Sequence, residues 1–426
     1  MANKSAKSSR LNSVEEFHKA VAQKGRVKAV AEKMVELPAN VNPPVFGSQM
    51  RIWKQDPSVK ELNLPRTVYV HTQVNEGPSD SQITIQGVHP VTPDANRNFL
   101  IEPTNEEAFD AVHTYTIVRQ VLTMYQRVLK KKLAWQWNTN GNEEVIQVYP
   151  HAGETANAYY SREEKAIKFF YFTPGNSQAN SKVYTCRSLD VVAHETGHAV
   201  LDSLKPNWLS FDSPAQTGAL HESFGDLTSI FLLLSQLDMV EYIVAQTKAD
   251  LHQKSILAEV AEEFGEAFQL PDGLRNADNN LKLSEVSSEV HELSQVFTGG
   301  VFDILADLFT SRRDPYVRDS AEVLYEVGKY IAGLTLRALT QAPDTNATFA
   351  DVANAMIEIA EADGEKDCVQ FIRKHFEFRQ VLGANAIAGP VDLSQFGLYA
   401  DRRCCCGTMQ HPQYMPHVST SNGKRP

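Results

Sequence analysis

The stretch Val191-Val192-Ala193-His194-Glu195-Thr196-Gly197-His198-Ala199-Val200 constrains this chain more than any other. Two histidines four residues apart fall about 40° apart around an α-helix, so both imidazoles can meet one metal ion. A carboxylate at Glu195 can reach a water on that metal without being a ligand, and taking the water's proton makes a hydroxide nucleophile. The segment is therefore expected to be a helix equipped for hydrolysis. Matches of this length also arise by chance, so the surrounding sequence has to decide. Gly197 costs a helix about 1 kcal/mol against alanine, and a second helix packed closely on that face would compensate.

A catalytic zinc takes three protein ligands and leaves a fourth position open for water. Downstream, Gly218-Ala219-Leu220-His221-Glu222-Ser223-Phe224-Gly225-Asp226 places Glu222 and Asp226 one helical turn apart on one face. Glu222 would complete a His2Glu ligand set. Asp226 is placed to accept the second ring N–H of a ligand histidine, which fixes its tautomer. Leu220, Phe224, Leu227 and Ile230-Phe231-Leu232-Leu233-Leu234 flank these acids, so the carboxylates should be buried and in need of partners rather than solvated.

The rest of the chain sorts by periodicity. Residues 1–35 read as a polar start and a short charged helix, and 36–105 as a β-containing region. Within it, Leu37 to Pro65 is an irregular connector rich in proline, whereas Thr67 to Val74 and Gln82 to Gln86 alternate with period two and suggest a hairpin or meander. Glu106 to Leu133 carries an apolar stripe of Ala111, Tyr115, Val118, Val121, Leu122, Tyr125 and Leu129, with Lys130-Lys131-Lys132 at its C-terminal end where cations suit the dipole. Val145 to Tyr149 and Ile167 to Phe172 are strand-like. Helical patterns then follow over Leu189 onward, Ala219–Leu237, Val240–Gln269, Glu289–Arg312, Ser320–Leu339, Phe349–Ala362 and Glu365–Val381. Strands first and helices second make an α+β chain: a β-rich N-terminal lobe (106–203) and a mainly α-helical C-terminal lobe (204–388) with the active-site helix between them, followed by a disordered tail over 389–426.

Composition narrows the partners. The balance of 52 Asp and Glu against 41 Lys and Arg, a net charge of −11, speaks against nucleic acid or an anionic membrane as partner. The longest apolar run, Ile230 to Leu234, is far too short to span a bilayer. Residues 1–35 hold no apolar run of the kind an export signal needs. Cys186, Cys368 and Cys404-Cys405-Cys406 form no disulfide framework and suit a reducing compartment, so a cytoplasmic location is favoured, with leaderless export left open. A peptide or small-molecule substrate fits this chain better than a polyanion.

Taken together, the two metal-ligand segments resemble those of the thermolysin-like zinc metallopeptidases, a glutamate-zincin family. Ser188 to Glu195 is similar to that family's catalytic helix and Gly218 to Asp226 to its third-ligand helix. Asn157-Ala158-Tyr159-Tyr160 resembles the edge strand that binds the peptide in extended form. Leu274-Arg275-Asn276 resembles the segment whose leucine lines the primed-side pocket and whose arginine contacts the substrate carbonyl. Val290-His291-Glu292-Leu293-Ser294 resembles the segment carrying the histidine that stabilises the oxyanion. Arg337 to Gln341 and Asn346 to Ala355 are similar to the closing helices, so that the resemblance spans roughly residues 107–383.

The resemblance implies a two-lobed zincin fold and a zinc endopeptidase. His194, His198 and Glu222 are implied as zinc ligands, Glu195 as the base, His291 as oxyanion donor, Asp226 as the support of a ligand histidine, and Asn157, Ala158, Leu274 and Arg275 as the substrate site, with an apolar preference on the primed side. Two alternatives stand beside it: a non-catalytic peptide-binding protein that keeps the fold, and a zinc aminopeptidase, although no motif for holding a free amine is visible. The chain departs from the family in three ways. Apolar residues within Ile230 to Leu234 replace an acid of the paired calcium site, which speaks against a double calcium site and leaves Asp190 as a helix-start residue. Between His198 and Glu222 there is no tyrosine to act as second oxyanion donor, Trp208 being the nearest stand-in. The family's long pro-segment and export signal have no counterpart here.

Overall fold

The computed structural model describes residues 47–389 apart from 58, 139–140, 175–181, 211–212 and 261–274. The charged helix expected before residue 36, the tail with Cys404-Cys405-Cys406, and Leu274 lie outside these residues. Elements are numbered in chain order. Strand β1 (Ser48–Trp53) turns Ser48, Met50 and Ile52 inward and pairs antiparallel with β2 (Pro65–Val70), from Ser48 opposite Val70 to Trp53 opposite Pro65. The irregular connector expected here therefore contains a strand, whose period-two pattern was hidden among prolines. Nor is there a hairpin between the two alternating segments. Asn75 and Ser79 close a tight turn on each other, and β3 (Ile83–Ile85) then runs parallel to β4 (Ile146–Tyr149).

Helix α1 (Glu106–Leu129) buries Ala111, Tyr115, Val118, Val121, Leu122 and Tyr125. Acids occupy its first turn and Arg127 its last, in the sense its dipole favours, and Lys130 ends it in the left-handed region (φ 54°), short of the expected Leu133. A four-stranded sheet follows in the order β3-β4-β6-β5, where β5 (Ala158–Ser161) is the edge strand, antiparallel to β6 (Ala166–Phe169). A small pair, β7 (Tyr171–Phe172) with β8 (Val183–Tyr184), leads into helix α2 (Leu189–Leu204), which carries the two-histidine motif.

Beyond α2 the described chain is mostly helical: α3 (Ala215–Leu234), α4 (Leu237–Thr247), α5 (Val290–Arg312), α6 (Ser320–Gln341), α7 (Phe349–Asp363) and α8 (Lys366–Phe378). The fold is α+β, strand-rich first and helical second, around one continuous apolar core. The long helix expected over Val240–Gln269 is not formed. Lys248 and Ala249 adopt φ of 52° and 61°, which ends α4, and the described chain re-forms as β9 (Glu259–Val260) paired with β10 (Arg275–Asn276). That pairing carries Arg275 to the interior, where its residue exposure is 8%. The loop after β10 is held by Arg379, fully buried, which donates to Leu281 O (2.9 Å), to Asn279 Oδ1 (3.0 Å) and to Asp303 Oδ2 on α5 (2.8 Å). No single helix among the described residues is long and apolar enough to cross a membrane.

Helices α2 and α3 lie close against each other, and glycine permits it. A Cβ on Gly197 would lie 2.7 Å from Thr228 Oγ1 and 3.2 Å from Gly225 Cα. Thr228 cannot yield easily, because its hydroxyl donates to Phe224 O (2.6 Å) and contacts the Tyr125 hydroxyl (2.7 Å). Gly197→Ala should gain about 1 kcal/mol of helix propensity but lose about 1–3 kcal/mol to overpacking. The melting temperature should fall; a rise would show that the contact is looser than described.

Candidate metal centre

Helix α2 begins at Ser188, whose hydroxyl accepts the Val191 N–H (3.4 Å), and it presents His194 and His198 to α3. Both rings, Glu195 and Glu222 are fully buried. The two imidazoles stand nearly perpendicular (89°) with centroids 4.5 Å apart, and ligand atoms of His194, His198 and Glu222 all lie within 4.8 Å of one another. A Cβ on Gly225 would sit 2.6 Å from the His194 ring, so this glycine leaves the room the imidazole fills.

These side chains fit a metal and little else. His194 Nε2 is 3.4 Å from Glu222 Oε2, and His198 Nε2 is 3.7 Å from Oε1, yet none of these four buried atoms makes a hydrogen bond. Each such orphan costs about 1–3 kcal/mol, and one cation satisfies all of them. Two imidazole nitrogens and a carboxylate are a set that zinc takes with a fourth position open. Burial opposes charge on Glu222, but the surrounding imidazoles, His291 foremost, hold its carboxyl well below the usual range. Burial pushes His198 well below its ordinary value. At His194 burial also lowers, but the Asp226 and Glu222 carboxylates outweigh it and raise the ring to about 9. A cation entering the site displaces the proton that His194 otherwise keeps.

The outer ring nitrogens are fixed from behind. Asp226 Oδ1 accepts from His194 Nδ1 (2.9 Å) and from Arg275 Nη2 (2.6 Å), while Oδ2 accepts from Arg275 Nε (2.8 Å). Although burial opposes it, the Arg275 charge and the His194 hydrogen bond bring the Asp226 carboxyl down to about 2, so it acts purely as an acceptor. His194 therefore keeps a proton on Nδ1, and once a cation displaces the second proton the Nε2 lone pair is free to bind it. His198 has a different support, since its Nδ1 lies 2.7 Å from Nδ1 of His221, a fully buried ring that burial pushes down to about 4. For His198 to offer Nε2 to a metal, its Nδ1–H must donate, so His221 must accept on Nδ1 and hold its proton on Nε2.

Two further groups converge from other elements. Glu195 Oε2 accepts the backbone N–H of Tyr160 on the edge strand β5 (3.0 Å). His291, at the start of α5, has Nδ1 2.6 Å from Glu289 Oε1 and Nε2 3.4 Å from Glu222 Oε2. Glu289 also caps α5, its other oxygen accepting the Glu292 N–H (2.9 Å). Against burial, Glu222 and Glu289 raise the pKa of His291.

Residues 58–202 match the family model of the thermolysin metallopeptidase catalytic domain. Over that segment the chain is thermolysin-like. The match covers β2 to β8, α1 and α2 through Asp202, whereas β1 lies before it and α3 with Glu222 and Asp226, β9, β10 and α5 lie beyond it and rest on the geometry above. No curated protein matches the chain. Zinc is the family's metal, and the His194–His198–Glu222 group is able to hold it.

The other expected site residues are placed less uniformly around this centre. Ala158 is buried in β5 opposite Phe169, and the Asn157 side chain accepts the Ala158 N–H (2.9 Å). Arg275 directs Nε and Nη2 at Asp226. Trp208 cannot stand in for the absent tyrosine, because it is buried with its indole N–H donated to Pro343 O (3.0 Å). Asp190 accepts from Gln55 Nε2 (3.2 Å), and none of the metal-capable groups among the described residues includes it. His221, Glu289, Gly225 and the Tyr160 amide carried no assignment from sequence. A histidine directly before Glu222 and an acid two residues before His291 were the available signals.

Because His198 depends on an acceptor at residue 221, His221→Leu should weaken zinc binding by about 10–100-fold, while His221→Asn, whose amide oxygen can accept the same proton, should stay close to the parent. Competition with a chelator measures both. Equal affinity in the Leu variant would show that His221 merely fills space.

Proposed function

We propose that this thermolysin-like metallopeptidase is a zinc endopeptidase whose base is Glu195. The single observation that carries the reading is the group of four buried ligand atoms on His194, His198 and Glu222 without hydrogen-bond partners, one residue from a carboxylate held in place by the Tyr160 amide. When bound there, zinc lowers the pKa of its water towards neutrality and polarises the scissile carbonyl. Glu195 takes the proton from that water and passes it to the leaving amine. His291, with Nδ1 held by Glu289, donates from Nε2 to the oxygen on which negative charge develops. Asp226 keeps His194 in its binding tautomer. The peptide adds to the edge of β5 at Asn157 and Ala158, Arg275 orients it from beside Asp226, and the primed side favours an apolar residue. Zinc is the one metal in this reading, without a calcium pair. The catalytic unit divides at the α2–α3 contact into lobes 106–203 and 204–388. Free, buried Cys186 and Cys368 suit a reducing compartment such as the cytoplasm.

Glu195→Gln should slow cleavage of a quenched fluorescent peptide by about 10²–10⁴-fold while leaving zinc at about one per chain. Activity surviving in that variant would refute the assigned base. Peptides blocked at the amino terminus should be cut as readily as free ones; a requirement for the free amine would instead indicate an aminopeptidase.

A further inference from the structure

The chain as a whole is acidic, but one cavity remote in sequence from the metal ligands carries four cations against one acid. It has a volume of about 660 Å³ and lies between the segment from His71 to Gln82 and the C-terminal half of α1. Arg119, Arg127, Lys131 and Lys132 line it together with several side-chain amides, and Asp80 is the one acid among its walls. Asp80 has no capacity to spare. Its Oδ1 accepts the backbone N–H groups of Gln82 (2.7 Å) and Ile83 (3.0 Å), and its Oδ2 accepts from the Tyr115 hydroxyl (2.7 Å) and Arg119 Nη1 (3.2 Å).

Three positive charges remain once Asp80 is set against Arg119. Lys132 lies 3.8 Å from Glu143, an exposed pair that contributes little. Lysines at a helix C-terminus suit its dipole, and that alone would account for Lys131 and Lys132. It does not account for Arg119, more than two turns earlier on α1. The Arg119 side chain is 3% exposed, and its Nη2 has no hydrogen-bond partner among the described residues. A buried guanidinium nitrogen left unsatisfied at a cationic cavity wall calls for an acceptor. Arg119, Thr123, Gln126 and Arg127 recur at helical spacing along that wall, so one face of α1 offers donors along the cavity.

We infer that this cavity binds a compact small anion carrying at least two negative charges, of the size of a bisphosphorylated sugar or a tricarboxylate. The volume is that of a metabolite site, and the forked donors of Arg127 match phosphate and carboxylate oxygens alike, whereas Arg119, whose Nε and Nη1 donate to Thr123, Asp80 and Gln82, has Nη2 left to add. The inference is independent of the peptidase reading, since none of the metal-centre residues lines the cavity.

The test is calorimetric titration of the full chain with fructose 1,6-bisphosphate and, separately, with propane-1,2,3-tricarboxylate, both weak zinc chelators, at about 0.15 M salt. At least one should bind with Kd below about 1 mM, and the double variant Arg127→Ala/Lys131→Ala should weaken it by at least about tenfold. Both substituted side chains are exposed, so melting temperature and zinc content should stay at the parent values. Binding by one probe alone identifies the anion as phosphate or carboxylate. Absence of binding by both at about 10 mM, or an affinity unchanged in the double variant, overturns the inference.

Discussion

The site depends on how closely α2 can lie against α3. Glu222 reaches His194 and His198 because Gly197 and Gly225 face each other across that contact, and because Gly225 leaves space for the His194 ring. Any side chain at either position would push apart the helices that carry the ligands, and a misplacement of about 1 Å is enough to spoil a metal site or a reaction geometry. Thr228 and Tyr125 lock the same seam with hydrogen bonds. The glycine that weakens α2 as an isolated helix is thus what makes its metal-binding face usable.

Around that contact the buried charges are arranged as a chain of mutual support. Arg275 neutralises Asp226, Asp226 fixes His194, and Glu289 fixes His291, which in turn faces Glu222. Burying isolated charges would cost far more than any one of these pairs returns, so the network makes sense as a unit with a cation at its centre. His198 is the exception, leaning on a neutral ring rather than a carboxylate. A metal on its Nε2 would place its proton on Nδ1 toward His221, whereas the Nδ1 proton of His194 is set by Asp226 alone. Backbone contributes as well: the Tyr160 amide ties the Glu195 carboxylate to the same edge strand on which a peptide would be laid.

The grouping of His194, His198 and Glu222 was legible in the sequence because helical periodicity decides it locally, His194 and His198 on one helix, Glu222 and Asp226 on another. The close packing at Gly197 followed from the cost of glycine in a helix. Interactions between distant segments were not legible. Nothing in the sequence announced that Gln55 would meet Asp190, or that Arg275 would turn to Asp226, and the Tyr160 amide donates whatever side chain it bears. Strand β1 was hidden because nearby prolines masked the alternation of Met50 and Ile52 with Gln49 and Arg51. The helix read through Lys248 and Ala249 failed because neither residue type marks a left-handed backbone.

The proposed function puts the metal on His194, His198 and Glu222. A second group of side chains able to hold one, Asp110 with His151 and Cys186, offers a direct contrast, since its carboxylate is already gripped by Arg187 and one of its ligands is sulfur. X-ray absorption at the zinc edge, on the full chain with one equivalent of zinc, separates the two. The structure predicts nitrogen and oxygen neighbours at about 2.0–2.2 Å with imidazole scattering and no sulfur. A sulfur neighbour at about 2.3 Å would contradict it.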